Sequence, residues 1–274
     1  MVYAVNGNTN LLPLTEMMED IRDWFSSDLG EQLLTAEQEV LDKLVGGVFG
    51  YHLLQIGLVP RLQLLRQSSA SHKFEMLPSV NLGMSEAGVV GNASELPFAS
   101  ECIDAVMLHH ALDFAQSPHQ VLREAARVLR PGGKLVVVGF NPASFWGAYK
   151  QISSRNKDIP WCSHFIRQRR LHDWLTLLEL KQETTVSGFY RPPFKSQKWM
   201  RKLEFMERWG AAYRVANGAF FVVIATKESV TLTPVGMNWR RRLVFPLIHK
   251  PLQQAGRKSS GEIKSVLDTP EIDD

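Results

Sequence analysis

Two adjacent histidines, His109 and His110, close the apolar run Ile103 to Leu108. An imidazole titrates near neutrality, so His110 is suited to take a proton from a hydroxyl or an acidic carbon. The alternative is a packed, hydrogen-bonded structural residue. Further along, Asn141-Pro142 precedes Phe145-Trp146. These residues offer either a turn with an aromatic platform for a flat, quinone-like acceptor, or a turn that caps a helix while the rings cover the core. Between Trp161 and Trp209 cations alternate with rings, a pattern that could track and stack a single nucleic-acid strand. That stretch carries no recognisable RNA-binding motif, and its charges fit a solvated face or a lid insert better. Cys102 and Cys162 are the only thiols and have no CxxC spacing, so neither a zinc site nor an extracellular disulfide framework is expected. No metal is expected, and a reducing cytoplasm is the expected location.

These residues need a scaffold, and the periodicities supply one. Met17, Met18, Ile21, Trp24 and Phe25 recur at helical spacing, and a second helix is expected from Thr35 to Val45. Thr35 with Gln38 forms a capping-box pattern, and Gly46-Gly47 is the stop. His52 to Leu58 and His72 to Leu77 read as strands flanking the helix-compatible Arg61 to Gln67, and Gly88 to Val90 as a short third strand. The clearest unit follows: a strand at Ile103 to Leu108, a helix at Pro118 to Leu129, a turn at Arg130 to Gly133 and a strand at Lys134 to Phe140. Continuous apolar strands around a helix indicate a parallel sheet covered on both faces. Arg169 to Leu180 has helical period, and Ala219 to Ala225 is a late strand.

With 45% apolar and 22% charged residues the chain has the balance of a globular protein, so most of it should fold. A net charge of +3 is too small to mark a nucleic-acid binder. Glu16, Glu19, Asp20 and Asp23 near the start do not read as a signal peptide, and no window is apolar enough to span a membrane. The expected organisation is an N-terminal helical extension at residues 1–48, a core domain at 49–228 with a basic insert about 150–210, and a disordered tail at 229–274.

Asn92 to Gly139 resembles the class I methyltransferases of the type 11 group, which includes quinone-biosynthesis enzymes. Leu96-Pro97-Phe98, Asp104, His110 with Asp113, Leu122-Arg123-Glu124 and Val128 through Gly133 fall in the family's order and spacing. The resemblance implies a Rossmann-like, doubly wound, mostly parallel α/β sheet with a late antiparallel strand, and S-adenosylmethionine as cofactor across the carboxyl ends of the strands.

Carried over residue by residue, the resemblance implies cofactor contacts at Gln55, Gly57, Leu77, Asn92, Ala93, Leu108 and His109. It places His110, Asn141, Phe145 and Trp146 around the acceptor, with His110 the candidate base. The family's acidic residue and glycine-rich loop after the first strand are reduced here to Gln55 and Gly57, and no acid stands near Leu77-Pro78 at the end of the second. The implied function is methyl transfer to a small molecule. The alternatives are a catalytically degenerate binding module and, further off, an RNA-binding or RNA-modifying protein.

Overall fold

The computed structural model describes residues 14–58, 67–80, 88–152, 158–193 and 217–228. The irregular start, most of the helix-compatible Arg61 to Gln67 segment and the tail beyond residue 228 lie outside these. So does the part of the basic, aromatic stretch from residue 194 to Trp209.

Two helices lead the chain, α1 (Leu14–Phe25) and α2 (Asp28–Leu44). The second begins seven residues before Thr35. Ser27 is its N-cap, accepting from the Gly30 N–H at 3.3 Å, and Asp28 and Glu31 place negative charge on the first turn. Thr35 is interior, its hydroxyl donating to the Glu31 carbonyl at 2.8 Å. The turn between the helices is tight enough to need Gly30, whose missing Cβ would stand 2.3 Å from the Trp24 carbonyl oxygen.

Among the described residues seven strands follow: β1 (His52–Ile56), β2 (His72–Leu77), β3 (Gly88–Val90), β4 (Ile103–His109), β5 (Leu129–Phe140), β6 (Leu180–Gly188) and β7 (Phe220–Lys227). Their order is β3-β2-β1-β4-β5-β7-β6, parallel except for β7, which runs antiparallel to both neighbours. This is the Rossmann-like sheet the pattern implies, with its switch point between β1 and β4. Helix α3 (Pro118–Val128) links β4 to β5, α4 (Phe145–Ile152) follows β5, and α5 (Gln168–Leu177) precedes β6.

Two details depart from the expected elements. The Arg130 to Gly133 turn is a bulge inside β5, exposed from Arg130 to Gly132: Ile103 pairs with Leu129 and then Ala105 with Lys134. Strand β6, within the stretch read as a basic insert, runs along β7 as the sheet's edge. Its residues, LKQETTVSG, lack apolar alternation because an edge strand half in water does not require it.

Alternating side chains feed two cores. Leu53, Met107, Val136, Val138 and Phe140 join Met17, Ile21, Phe25, Leu33 and Leu41 of α1 and α2. Leu54, Ile56, Val106, Leu108 and Val137 join α3 and α5 through Val121, Leu122, Leu171 and Leu175. The helical extension is therefore one of the two layers that cover the sheet. Among the described residues no helix is long and apolar enough to cross a membrane.

Candidate functional site

The parallel register aligns the strand ends. Ile56 pairs with Met76 and with Leu108, Leu77 pairs with Val90, and the Gly57 N–H reaches the Met76 carbonyl at 3.4 Å. Gly57, Leu77, Asn92-Ala93 and His109 thus follow one another along the carboxyl edge of β1, β2, β3 and β4. At about 4.8 Å per strand, β1 and β3 are about 10 Å apart, the length of a nucleoside.

Asn92 is exposed and Ala93 half-buried. The Asn92 Oδ1 accepts the Ser94 N–H at 2.9 Å and so fixes the turn after β3. Gln55 stands in register with Glu75 and Met107, hence on the face covered by α1 and α2, and is buried.

At the end of β4 the chain turns through His110, a non-glycine residue at φ 51°. Histidine tolerates this left-handed conformation better than most residues. The turn brings both imidazoles under α2, onto a carboxylate that the pattern of elements does not single out. Glu37 Oε2 is 2.9 Å from His109 Nε2, and Glu37 Oε1 is 2.8 Å from His110 Nε2. On its other side His110 Nδ1 meets Asp113 Oδ2 at 2.8 Å, and that same oxygen accepts the Phe140 N–H at 3.0 Å. Glu37, His109 and His110 are each 0% exposed. Phe25 and Phe140 flank His110, with ring centroids at 5.6 and 4.3 Å.

Burial alone would raise the Glu37 carboxyl. The attraction of His110 and hydrogen bonds from both histidines outweigh it and hold the group at about 2. Burial would likewise lower His110, but the Glu37 charge and the hydrogen bonds from both carboxylates hold it at about 9. Asp113 is pushed up by burial, against the charge and hydrogen bond of His110. With a carboxylate on each side, His110 is an imidazolium donating from both nitrogens, which is the packed alternative for this residue.

The other residues expected around an acceptor separate. Phe145 is 53% exposed, whereas Trp146 is buried, its Nε1–H donating to the Arg191 carbonyl at 3.0 Å. Trp146 lies among Phe140, Trp161 and Phe189. Asn141 is buried and fixes the turn before α4, its Oδ1 accepting the Ala143 N–H at 3.0 Å. Nearby, Lys150 binds the Ser163 carbonyl and lies 4.4 Å from the Phe165 ring centroid, with burial lowering its pKa against the attraction of Asp113. The His164 N–H donates to the Asp113 carbonyl at 2.6 Å, which closes the 158–167 loop onto the same turn.

The missed residue, Glu37, had a signal. It falls with Leu33, Leu34 and Leu41 on the apolar face of α2, where a carboxylate needs a buried partner.

Residues 66–137 match a protein family described as a methyltransferase domain. Over 210 residues the chain is 32% identical to the uncharacterised protein YafS of Escherichia coli K12, covering 77% of this chain and 82% of that one. The chain belongs to the class I methyltransferases, type 11 group. It is also 40% identical over 85 residues to a demethylmenaquinone methyltransferase of Mycolicibacterium paratuberculosis, an overlap of 27% of this chain and 37% of that protein. A solved structure from Thermotoga maritima, described as a SAM-dependent methyltransferase and possible histamine N-methyltransferase, shares the fold. It covers 75% of this chain and 93% of that one at TM-score 0.56 and 19% identity.

S-adenosylmethionine is the cofactor of this methyltransferase class. The strand-end spacing fits its nucleoside half. At the positions the resemblance implies, Gln55 and Leu77 are buried and Asn92 is exposed, and none of the three is a carboxylate.

Proposed function

We propose that the chain transfers a methyl group from S-adenosylmethionine to a small-molecule acceptor, in the cytoplasm. What supports this reading is the row of Gly57, Leu77, Asn92-Ala93 and His109 along the carboxyl edge beside the switch point, where open α/β sheets bind ligands. In this reading Gln55, Gly57, Leu77, Asn92, Ala93, Leu108 and His109 hold the cofactor. Gly57 leaves its backbone open to close approach, and Asn92 with Ala93 meets the adenine. The cofactor supplies an electrophilic methyl on a sulfonium. The protein's part is to orient the acceptor and exclude water, with Asn141 fixing the turn and Phe145 presenting an exposed ring. His110, with both nitrogens occupied, holds the β4 turn in shape. Acceptors that need only a weak base or none suit this arrangement.

A second reading, a degenerate methyltransferase fold that binds without transferring, draws on Gln55 and on the closed end of β4 beneath Glu37. Calorimetry with S-adenosylmethionine and its demethylated product tests both. Binding of the pair is expected, with Asn92→Ala weakening it by about tenfold through one lost hydrogen bond. No heat at millimolar ligand would remove the methyl-transfer reading. Binding without turnover over a panel of phenolic, quinol and amine acceptors would favour the second.

A further inference from the structure

The carboxylate and two imidazoles at the end of β4 do more than satisfy one another. One ligand atom from each of Glu37, His109 and His110 lies within 4.8 Å of the others, and all three side chains are buried. Two imidazole nitrogens with a carboxylate form a donor set that suits borderline divalent ions. The surroundings match such a site. Asp113 holds His110 Nδ1 at 2.8 Å and is itself held by the Phe140 N–H, so the ring's Nε2 faces Glu37. An outer carboxylate that fixes the tautomer in this way is a regular companion of metal-ligating histidines.

Charge points the same way. Glu37 and Asp113 bring two carboxyl groups into the core, where they face His109 and His110 at 2.8–2.9 Å. One divalent ion between two neutral histidines would offset both carboxylates.

We infer that Glu37, His109 and His110 form a buried site for one divalent first-row transition ion of the zinc class. On binding, the ion takes the Nε2 lone pairs and a Glu37 oxygen, each ring keeps a single proton on its Nδ1, and any proton beyond these leaves to solvent. Because Glu37 lies on α2 and the histidines end β4, the ion ties the helical layer to the sheet. The site uses His109, which the methyl-transfer reading gives to the cofactor; metal titration without cofactor tests the site separately from that reading.

The test uses the full chain, stripped with a chelator and titrated with Zn2+ against a chromophoric competitor, then with Co2+ followed by visible spectroscopy. The expected result is one ion per chain, Co2+ bands of low-symmetry nitrogen and oxygen ligation, and a higher thermal midpoint with Zn2+. His109→Asn and Glu37→Gln should each weaken binding at least about tenfold. The exposed His52–His72 pair at the other edge of the sheet, with Nδ1 atoms 3.3 Å apart, provides the control. Its double asparagine variant should bind as the parent does. Loss of binding in that control, or a colourless Co2+ titration of the parent protein, would overturn the site whether or not the Glu37 and His109 variants fold.

Discussion

At the amino edge of the sheet Asp104 accepts N–H groups from Tyr51 at 3.0 Å and His52 at 2.8 Å, and its other oxygen meets Arg130 at 3.0 Å. Water reaches this cluster, and beside it a cavity of about 480 Å³ opens between His52, His72, Phe74, Phe98 and Cys102. At the carboxyl edge Glu37, His109, His110 and Asp113 have comparable bond lengths and no contact with water. Similar geometry therefore carries different energetic weight at the two edges. An exposed ion pair has solvent as a substitute partner, whereas a buried one leaves an uncompensated charge when a member is lost. The cavity lies at the edge opposite the carboxyl ends of the strands, where the proposed cofactor contacts are.

The contrast can be broken at several points. Replacing Glu37 by Ala strands both histidines and is expected to lower the unfolding free energy by about 3–5 kcal/mol in urea denaturation. A loss below about 1 kcal/mol would show that water enters the carboxyl edge and that the two ends are alike.

The pH dependence of the metal-stripped protein should show the same asymmetry. His110, held at about 9 against an ordinary 6.5, contributes stability that is complete below 6.5 and lost as pH rises through about 9. Glu37, held at about 2 against an ordinary 4.5, contributes stability that is complete above 4.5 and lost as pH falls through about 2. Unfolding midpoints measured across pH should form a plateau between these limits, and Glu37→Gln should flatten both flanks.

Smaller effects belong to the amino edge. Asp104→Asn keeps the shape but removes the charge behind three hydrogen bonds, from Tyr51, His52 and Arg130, at an expected cost of about 1 kcal/mol. The Asp104 carboxyl is lowered by those backbone bonds and by Arg130 against a burial effect of opposite sign. Its contribution is therefore present above 3.8 and fades as pH falls below that value. Smallest is Arg130→Ala, which removes a pair that is 47% and 20% exposed and should change stability by less than about 1 kcal/mol. If it costs as much as Glu37→Ala, exposure is not what separates the two edges.

Much of this arrangement was legible in the residues. The β4, α3 and β5 unit could be read because strands buried on both faces are continuously apolar, and the proline-bearing start of α3 marks a helix end. Strand β6 could not, because its polar residues record an edge in water. Thr35 carried a capping pattern in a helix that starts at Ser27, and local propensity gave way to the better cap and the tight α1 turn. His109 and His110 were visible as candidates, whereas Glu37 showed only as a carboxylate on the apolar face of α2 with its partner unnamed, and Trp146 showed two faces until the core claimed it.

The linear order of residues determined the alternating faces, the parallel sheet and the family's spacing, since each depends on periodicity within a few turns or one strand. The union of Glu37 with two histidines 72 and 73 positions away was decided only when α2 packed across β4. No local preference encodes such a meeting, because its energy comes from removing the carboxylate and both rings from water together.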